Sequence, residues 1–146
     1  MILIILPFSI FHFQVLKKCI LQSPHSTIRA SAANAVSEMA QNNPYCQDNF
    51  IKDGFLPVMI NKMEHDQAEG VRIKALYAMS SIVRDCPQGM KLFLDLKGAD
   101  ALLRTIQQQS SSGGCGNDGG SSARLRTKAC FFVVSQAKYY TSYSKT

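Results

Sequence analysis

Three histidines, five cysteines and one glycine string are the residues whose types would license chemistry in this chain of 146 residues. His12, His25 and His65 lie far apart, with no carboxylate or thiol patterned around them at ligand spacing. Catalysis needs a nucleophile, a base and an orienting group converging on one point, and no such grouping is legible; no enzyme is expected. The cysteines at 19, 46, 86, 115 and 130 form no Cys-x-x-Cys pair and have no histidine companion, which argues against zinc. An odd, scattered set reads as reduced thiols of an intracellular protein, with Cys46, Cys86 and Cys130 expected as small core residues. Gly114-Cys-Gly116-Asn-Asp-Gly119 has the Gly-x-Gly-x-x-Gly spacing of dinucleotide folds. That spacing holds a pyrophosphate only between a strand and a helix N-terminus; here a helical pattern precedes it and Gly/Ser filler surrounds it. It reads as linker, and no cofactor or direct nucleotide binding is expected.

Charge is the next chemical signal. The net charge is +6, from 16 basic and 10 acidic residues, and it is unevenly placed. Residues 26–109 are balanced, whereas 123–146 carry Arg124, Arg126, Lys128, Lys138 and Lys145 with no acid. A basic end of this kind favours an acidic partner surface. Phe131, Phe132, Tyr139, Tyr140 and Tyr143 near these lysines loosely fit an RNA-stacking pattern. Phe132 and Val133 fit the packing face of a helix better, so no nucleic acid is expected.

The opening run MILIILPFSIFHFQV is strongly apolar. It lacks the basic start and small-residue cleavage site of a secretory signal. It is also short, and interrupted by Pro7 and His12, for a membrane span. The expectation is an irregular segment over 1–10, a helix from near Phe11, no stable membrane insertion and a cytoplasmic protein. A signal peptide leading to the endoplasmic reticulum lumen is the alternative.

The elements that would position any site come from a repeat. Ile28-Arg-Ala-Ser-Ala-Ala-Asn-Ala-Val36, Val71-Arg-Ile-Lys-Ala-Leu-Tyr-Ala-Met79 and Leu125-Arg-Thr-Lys-Ala-Cys-Phe-Phe-Val133 share one pattern: aliphatic, Arg, any, small or basic, Ala, then apolar. The first two start 43 residues apart (28 to 71), within the roughly 40–47 residue period of armadillo and HEAT repeats. The third starts 54 further on (71 to 125), the excess lying in the Gly/Ser tract. Ser26 is a candidate N-cap for the first long helix. Asn43-Pro44 and Cys86-Pro87 each open a short helix. Asp53-Gly54-Phe55 and Lys97-Gly98-Ala99 match as the breaks before a second short one. Each unit therefore reads short helix, short helix, long helix, the armadillo order. The fold expected is all-α, an armadillo-like right-handed helical solenoid of roughly three repeats over 11–138. The units are 11–42, 43–85 and 86–138, with a flexible loop at 110–122 and a disordered tail at 139–146. No capping repeat follows, so the chain reads as a fragment of a longer solenoid. Arg29, Arg72 and Arg126 recur at the starts of the long helices, where the dipole disfavours cations. They are expected to act structurally, each guanidinium finding carbonyls or a carboxylate at the turn.

Val71-Arg-Ile-Lys-Ala-Leu-Tyr-Ala-Met-Ser-Ser-Ile-Val-Arg84, continued through Gly89, Phe93-Leu94, Gly98 and Leu102-Leu-Arg-Thr-Ile-Gln-Gln-Gln109, resembles the Hsp70-binding protein family of nucleotide-exchange factors. Ile28-Arg-Ala-Ser-Ala-Ala, Gln41-Asn-Asn-Pro44 and Leu125-Arg-Thr-Lys-Ala129 resemble flanking repeats of that family. The resemblance implies a curved solenoid that clasps the nucleotide-binding domain of a heat-shock protein 70 chaperone, so that ADP leaves. No catalytic residue is required. The concave, partner-binding wall it implies falls on Asn34, Glu38 and Gln41, on Lys74, Tyr77, Ser81 and Arg84, and on Lys128, Phe131, Ser135 and Lys138. The absence of Trp sets the chain apart from the armadillo repeats of nuclear-import receptors. A generic armadillo scaffold for an acidic partner, without exchange activity, is the alternative.

Overall fold

The computed structural model describes the backbone of residues 2–107 and 119–143, and the side chains of 12–107, 123–138 and 141. All regular elements among the described residues are α-helices: α1 (Ile2–Gln22), α2 (Ser26–Ala40), α3 (Pro44–Lys52), α4 (Phe55–His65), α5 (Glu69–Val83), α6 (Pro87–Asp95), α7 (Gly98–Gln107) and α8 (Gly119–Tyr143). Helix α1 begins well before Phe11. The apolar run contains no breaker except Pro7, whose missing amide removes one donor without ending the helix. At the other end α8 takes in 119–122, which the sequence assigns to the loop, and 139–143, which it assigns to the tail. The rest of both segments lies outside the described residues. Among the described residues no helix is long and apolar enough to cross a membrane.

The period is stricter than the sequence suggests. Helices α2 and α5 start 43 residues apart (26 and 69) and end 43 apart (40 and 83), and α3 and α6 do the same (44 and 87, 52 and 95). Asn42 and Asp85, again 43 apart, both turn into the left-handed region at φ 54° and 53°, closing the long helices. The next residues, Asn43 and Cys86, cap the short helices: Asn43 Oδ1 accepts from the Cys46 amide and Cys86 Sγ from the Gly89 amide. Pro44 and Pro87 then occupy the first helical position, where a missing amide costs nothing.

Two sequence assignments shift under this register. Helix α2 is entered through His25, with Ser26 already helical; no side chain caps it, and Ser23 Oγ instead accepts from the His25 amide. The partner of Gly54 is Lys97, with φ 71° and 55° respectively, so Gly98 corresponds to Phe55. Phe55 stacks edge-on against Phe50, centroids 4.8 Å apart, and Phe50 against Phe13 at 4.7 Å. In the next unit Gly98 leaves that space to the ring of Phe93, which stacks on Phe132 of α8 at 5.5 Å. One aromatic cluster thus pins α1 to α3 and α4, the other α6 to α8.

The long helices form the spine. The most extensive helix contact is α2 against α5, and α8 continues the row on the far side of α5. Fully buried Ala33, Val36, Ala40, Ala75, Met79 and Ile82 fill the α2–α5 region, with Leu125 and Ala129 doing the same for α8. Small residues at these positions let the axes approach closely. Of the cysteines expected in the core, Cys46 and Cys86 are buried, but Cys130 is exposed on α8.

The recurrent arginines are structural where their contacts are described. Arg29 Nη1 donates to the carbonyls of Ser23 and Pro24, and its Nε and Nη2 form a fork on Asp66 at 2.9 Å each. Arg72 Nε donates to the Met63 carbonyl at 2.8 Å. Asp66 also accepts from the Ala68 amide and lies 3.5 Å from Lys62. Burial alone would raise this carboxyl, but the hydrogen bonds from Arg29 and Ala68 and the charges of Arg29 and Lys62 together hold it below its usual 3.8. A depressed carboxylate contributes stability above its unfolded pKa and loses it as the folded group protonates. Denaturation midpoints are therefore expected to fall between about pH 5 and pH 3 by more in the wild type than in Asp66→Asn. Equal slopes for the two proteins would show that the Asp66 latch is not what acid breaks.

Candidate functional site: the α2–α5–α8 face

The side chains that leave the spine toward solvent do so in register, because positions three and four apart share one side of a helix. On α5 this side carries Lys74, Tyr77 and Ser81, with Arg84 at its C-cap; α2 presents Asn34 and Glu38 beside it, with Gln41 at its C-cap, and α8 presents Lys128, Phe131, Ser135 and Lys138.

Five of the residues expected at the site touch in a chain. Asn34 Nδ2 donates to Glu38 Oε1 at 2.6 Å, and Lys74 Nζ donates to Asn34 Oδ1 at 2.7 Å, crossing from α5 to α2. Lys74 Nζ also lies 5.7 Å from the Tyr77 ring centroid, and Lys128 Nζ reaches the same ring from α8 at 4.8 Å. Tyr77 is half-buried with a cation from each of two helices near its ring, so its charge environment is positive. Beside it a cleft of about 340 Å³ opens between α5 and α8. Arg84, Lys128, Phe131 and Ser135 form its rim, with Leu76 and Phe132 as an apolar floor. A basic rim over an apolar floor suits a partner segment that offers a carboxylate next to an aliphatic group.

The remaining expected residues sit apart from this centre. Ser81 Oγ is 3.0 Å from Ser37 Oγ, half-buried between α5 and α2, so it joins helices more than it offers a contact. Gln41 is exposed at the C-cap of α2, and Lys138 is exposed late in α8. The sequence reading missed Ser80, which lines the cleft, and Gln47, which supports it from behind. Gln47 lies on α3, is 5% exposed, and donates from Nε2 to the carbonyls of Ser81 and Arg84 at 2.8 and 2.9 Å. It thereby satisfies carbonyls at the end of α5 that the helix cannot satisfy itself. Gln47→Leu removes the donor to both carbonyls and is expected to cost about 2 kcal/mol in urea denaturation. A loss below about 0.5 kcal/mol would mean that water replaces the amide.

His25 and His65 are exposed at helix boundaries, and among the described residues no group of three or more His, Cys, Asp and Glu could hold a metal ion. Gly119, the last glycine of the nucleotide-like string, opens α8, and the described element before it is helix α7.

This chain is 33% identical over 89 residues to the Hsp70-binding protein 1 of Rattus norvegicus, covering 61% of this chain and 25% of that protein. It is 35% identical over 94 residues to the Hsp70 nucleotide exchange factor FES1 of Eremothecium gossypii, covering 63% and 32%. With the FES1 of Yarrowia lipolytica it shares 33% over 88 residues, covering 59% and 30%. It therefore spans between a quarter and a third of the length of these curated relatives. The family model of the SIL1/FES1/HPBP1 C-terminal domain matches residues 9–113, well over half of the chain, and takes in the α2 and α5 parts of the face together with the short helices behind them. By that match, the chain belongs to the SIL1/FES1/HPBP1 C-terminal domain family.

Proposed function

We propose that this chain binds the nucleotide-binding domain of an Hsp70 chaperone through its α2–α5–α8 face and promotes release of ADP. Its units would stack as an armadillo-like right-handed solenoid of roughly three repeats, with the long helices lining the concave wall. The observation that carries the reading is the family membership of residues 9–113 combined with one aromatic, Tyr77, approached by Lys74 from its own helix and by Lys128 from α8. The relatives' names supply the partner and the activity. The mechanism is a population shift: a partner that holds the open arrangement of the nucleotide cleft more tightly than the closed one must weaken ADP by the same factor. Such an action draws on interface energy alone, so the protein works without catalytic residues. Cytoplasm is the compartment proposed, on the strength of free thiols at Cys19, Cys46, Cys86 and Cys130.

A second reading is a scaffold for an acidic partner, favoured by the basic rim of Arg84 and Lys128 around the cleft. Stopped-flow release of fluorescent ADP from an Hsp70 nucleotide-binding domain separates the two. Acceleration that saturates with added chain supports exchange. Unchanged release, with the chain helical and cooperatively folded, leaves the scaffold reading.

A further inference from the structure

We propose that the cleft between α5 and α8 is a peptide-binding site for an extended acidic segment of a partner protein. One carboxylate of the segment sits among Arg84, Lys128 and the Ser80 hydroxyl, and an aliphatic side chain two residues away lies on the floor made by Leu76 and Phe132. Given the binding role proposed above for the α2–α5–α8 face, on which this inference rests, the cleft gives that face its selectivity. Two joints of one register are built differently. An interval of 43 residues takes Asn34, Ser37 and Gln41 to Tyr77, Ser80 and Arg84 (34 to 77), and one of 54 takes Lys74 and Ser81 to Lys128 and Ser135 (74 to 128). Between α2 and α5 the polar groups at these positions answer one another: Lys74 Nζ donates to Asn34 Oδ1 at 2.7 Å, and the Ser37 and Ser81 hydroxyls lie 3.0 Å apart. Between α5 and α8 the same positions leave the joint open. Lys128 Nζ lies over the Tyr77 ring, and Ser135 Oγ turns back to donate to the Phe132 carbonyl at 2.8 Å. The Ser80 hydroxyl and the Arg84 guanidinium have no hydrogen-bond or ion-pair partner among the described residues.

Two cations and a free hydroxyl, with no acidic side chain among the residues lining the cleft, make its complement an anion. The floor sets the rest. Leu76 and Phe132 are apolar, and Phe131 stands 70% exposed at the side, so the anion must bring an apolar neighbour. A free phosphate has no such neighbour, and a nucleic-acid strand calls for a cationic groove that tracks its backbone. The volume of about 340 Å³ is at the lower end of the range for ligand pockets, about 300–1,000 Å³, which suits a few side chains and not a folded element. An extended peptide supplies both groups on residues two apart, because alternate side chains of an extended chain point the same way.

Fluorescence anisotropy tests this with the labelled peptide Gly-Glu-Ser-Leu-Ser-Glu-Gly and the full chain, in the absence of any chaperone. The expected result is saturable binding that weakens about tenfold or more in Arg84→Gln and about three- to tenfold in Ser80→Ala, the ranges for losing a charged and a neutral hydrogen bond. Lys91→Gln, the same charge loss on α6, is expected to change it less than about twofold. Neither cleft variant threatens the fold: Arg84 is exposed and its carbonyl still accepts from Gln47, and Ser80→Ala removes one oxygen from a helix. Peptides with glutamine for both glutamates, or serine for the leucine, are each expected to bind about tenfold more weakly. A wild type without saturable binding overturns the proposal. So do equal affinities for the glutamate and glutamine peptides, equal losses in Arg84→Gln and Lys91→Gln, or displacement of the peptide by a uridine oligonucleotide that binds more tightly. Peptide binding and ADP release are read separately. Absent peptide binding with intact exchange strikes this inference alone, and peptide binding without exchange strikes the proposed exchange alone.

Discussion

Gly98→Ala is expected to destabilise the protein by about 2–3 kcal/mol, while Gly70→Ala is expected to stabilise it by a few tenths. Both glycines lie in the first turn of a helix, α7 and α5 respectively, so propensity alone predicts a gain from alanine at each. The surroundings decide the sign. A Cβ on Gly98 would sit 2.1 Å from Phe93 Cε2 and 2.2 Å from Cδ2, far inside contact distance. That ring has no room to retreat: it is 3% exposed and stands edge-on to Phe132 at 84°. Relief would require opening the joint between α6 and α8, and overpacking of a core in that situation costs more than the propensity gain returns. At Gly70 nothing stands within 4 Å of the added carbon. Urea denaturation of the two variants measures both effects at once. A neutral Gly98→Ala would mean that α7 slides along its axis and that the Phe93–Phe132 contact is soft. A Phe93→Leu partner substitution should recover part of the loss if the clash is its cause.

Why Gly98 is intolerant was not readable from the chain. Matching Lys97-Gly98-Ala99 to Asp53-Gly54-Phe55 aligns glycine with glycine, the natural choice when residue type is the only guide. The fold instead keeps the 43-residue interval and places Lys97 in the left-handed turn, a conformation that a long side chain adopts at some cost. What the sequence does carry is whatever repeats locally: the period, the Pro that opens the short helices α3 and α6, and the Arg at the head of each long one. The three- and four-residue spacing that puts Lys74, Tyr77 and Ser81 on one side of α5 is local in the same way. Contacts that join units without a local signature were not. Gln47 reads as one more exposed polar residue of a short helix, and only the packing of α3 under the end of α5 turns its amide into a cap. Cys130 follows the apolar pattern of α8 and would be core if a further helix lay over it; among the described residues none does, and it is exposed. Ser81 has the spacing of a binding residue and the burial of a joint.

On the proposed exchange function, Tyr77→Ala combined with Lys74→Glu is expected to weaken binding to the Hsp70 nucleotide-binding domain by roughly 30- to 1,000-fold, the range for losing a central aromatic anchor of an interface. Acceleration of ADP release should fall with it at fixed concentration. The geometry explains the size of the effect. Among the described residues of this face, Tyr77 is the one ring approached by cations from two helices, so it meets a partner already ordered and loses little entropy on docking. Lys74→Glu removes one of those cations and the donor to Asn34, and it sets a new carboxylate beside Glu38. The positive field that would draw an acidic segment toward α5 is thereby reversed at its centre. The informative control is Lys91→Glu, the same charge change at an exposed position on α6, away from the face. If the long-range field of a basic protein were all that mattered, the control would weaken binding as much as Lys74→Glu alone, and raised salt would erase the difference between them. A specific face predicts otherwise: the control costs less than about threefold, and the Tyr77 loss persists at high salt because a desolvated aromatic contact is not screened. Should Lys91→Glu match Lys74→Glu and Tyr77→Ala alone have no effect, the α2–α5–α8 face is not where the chaperone binds.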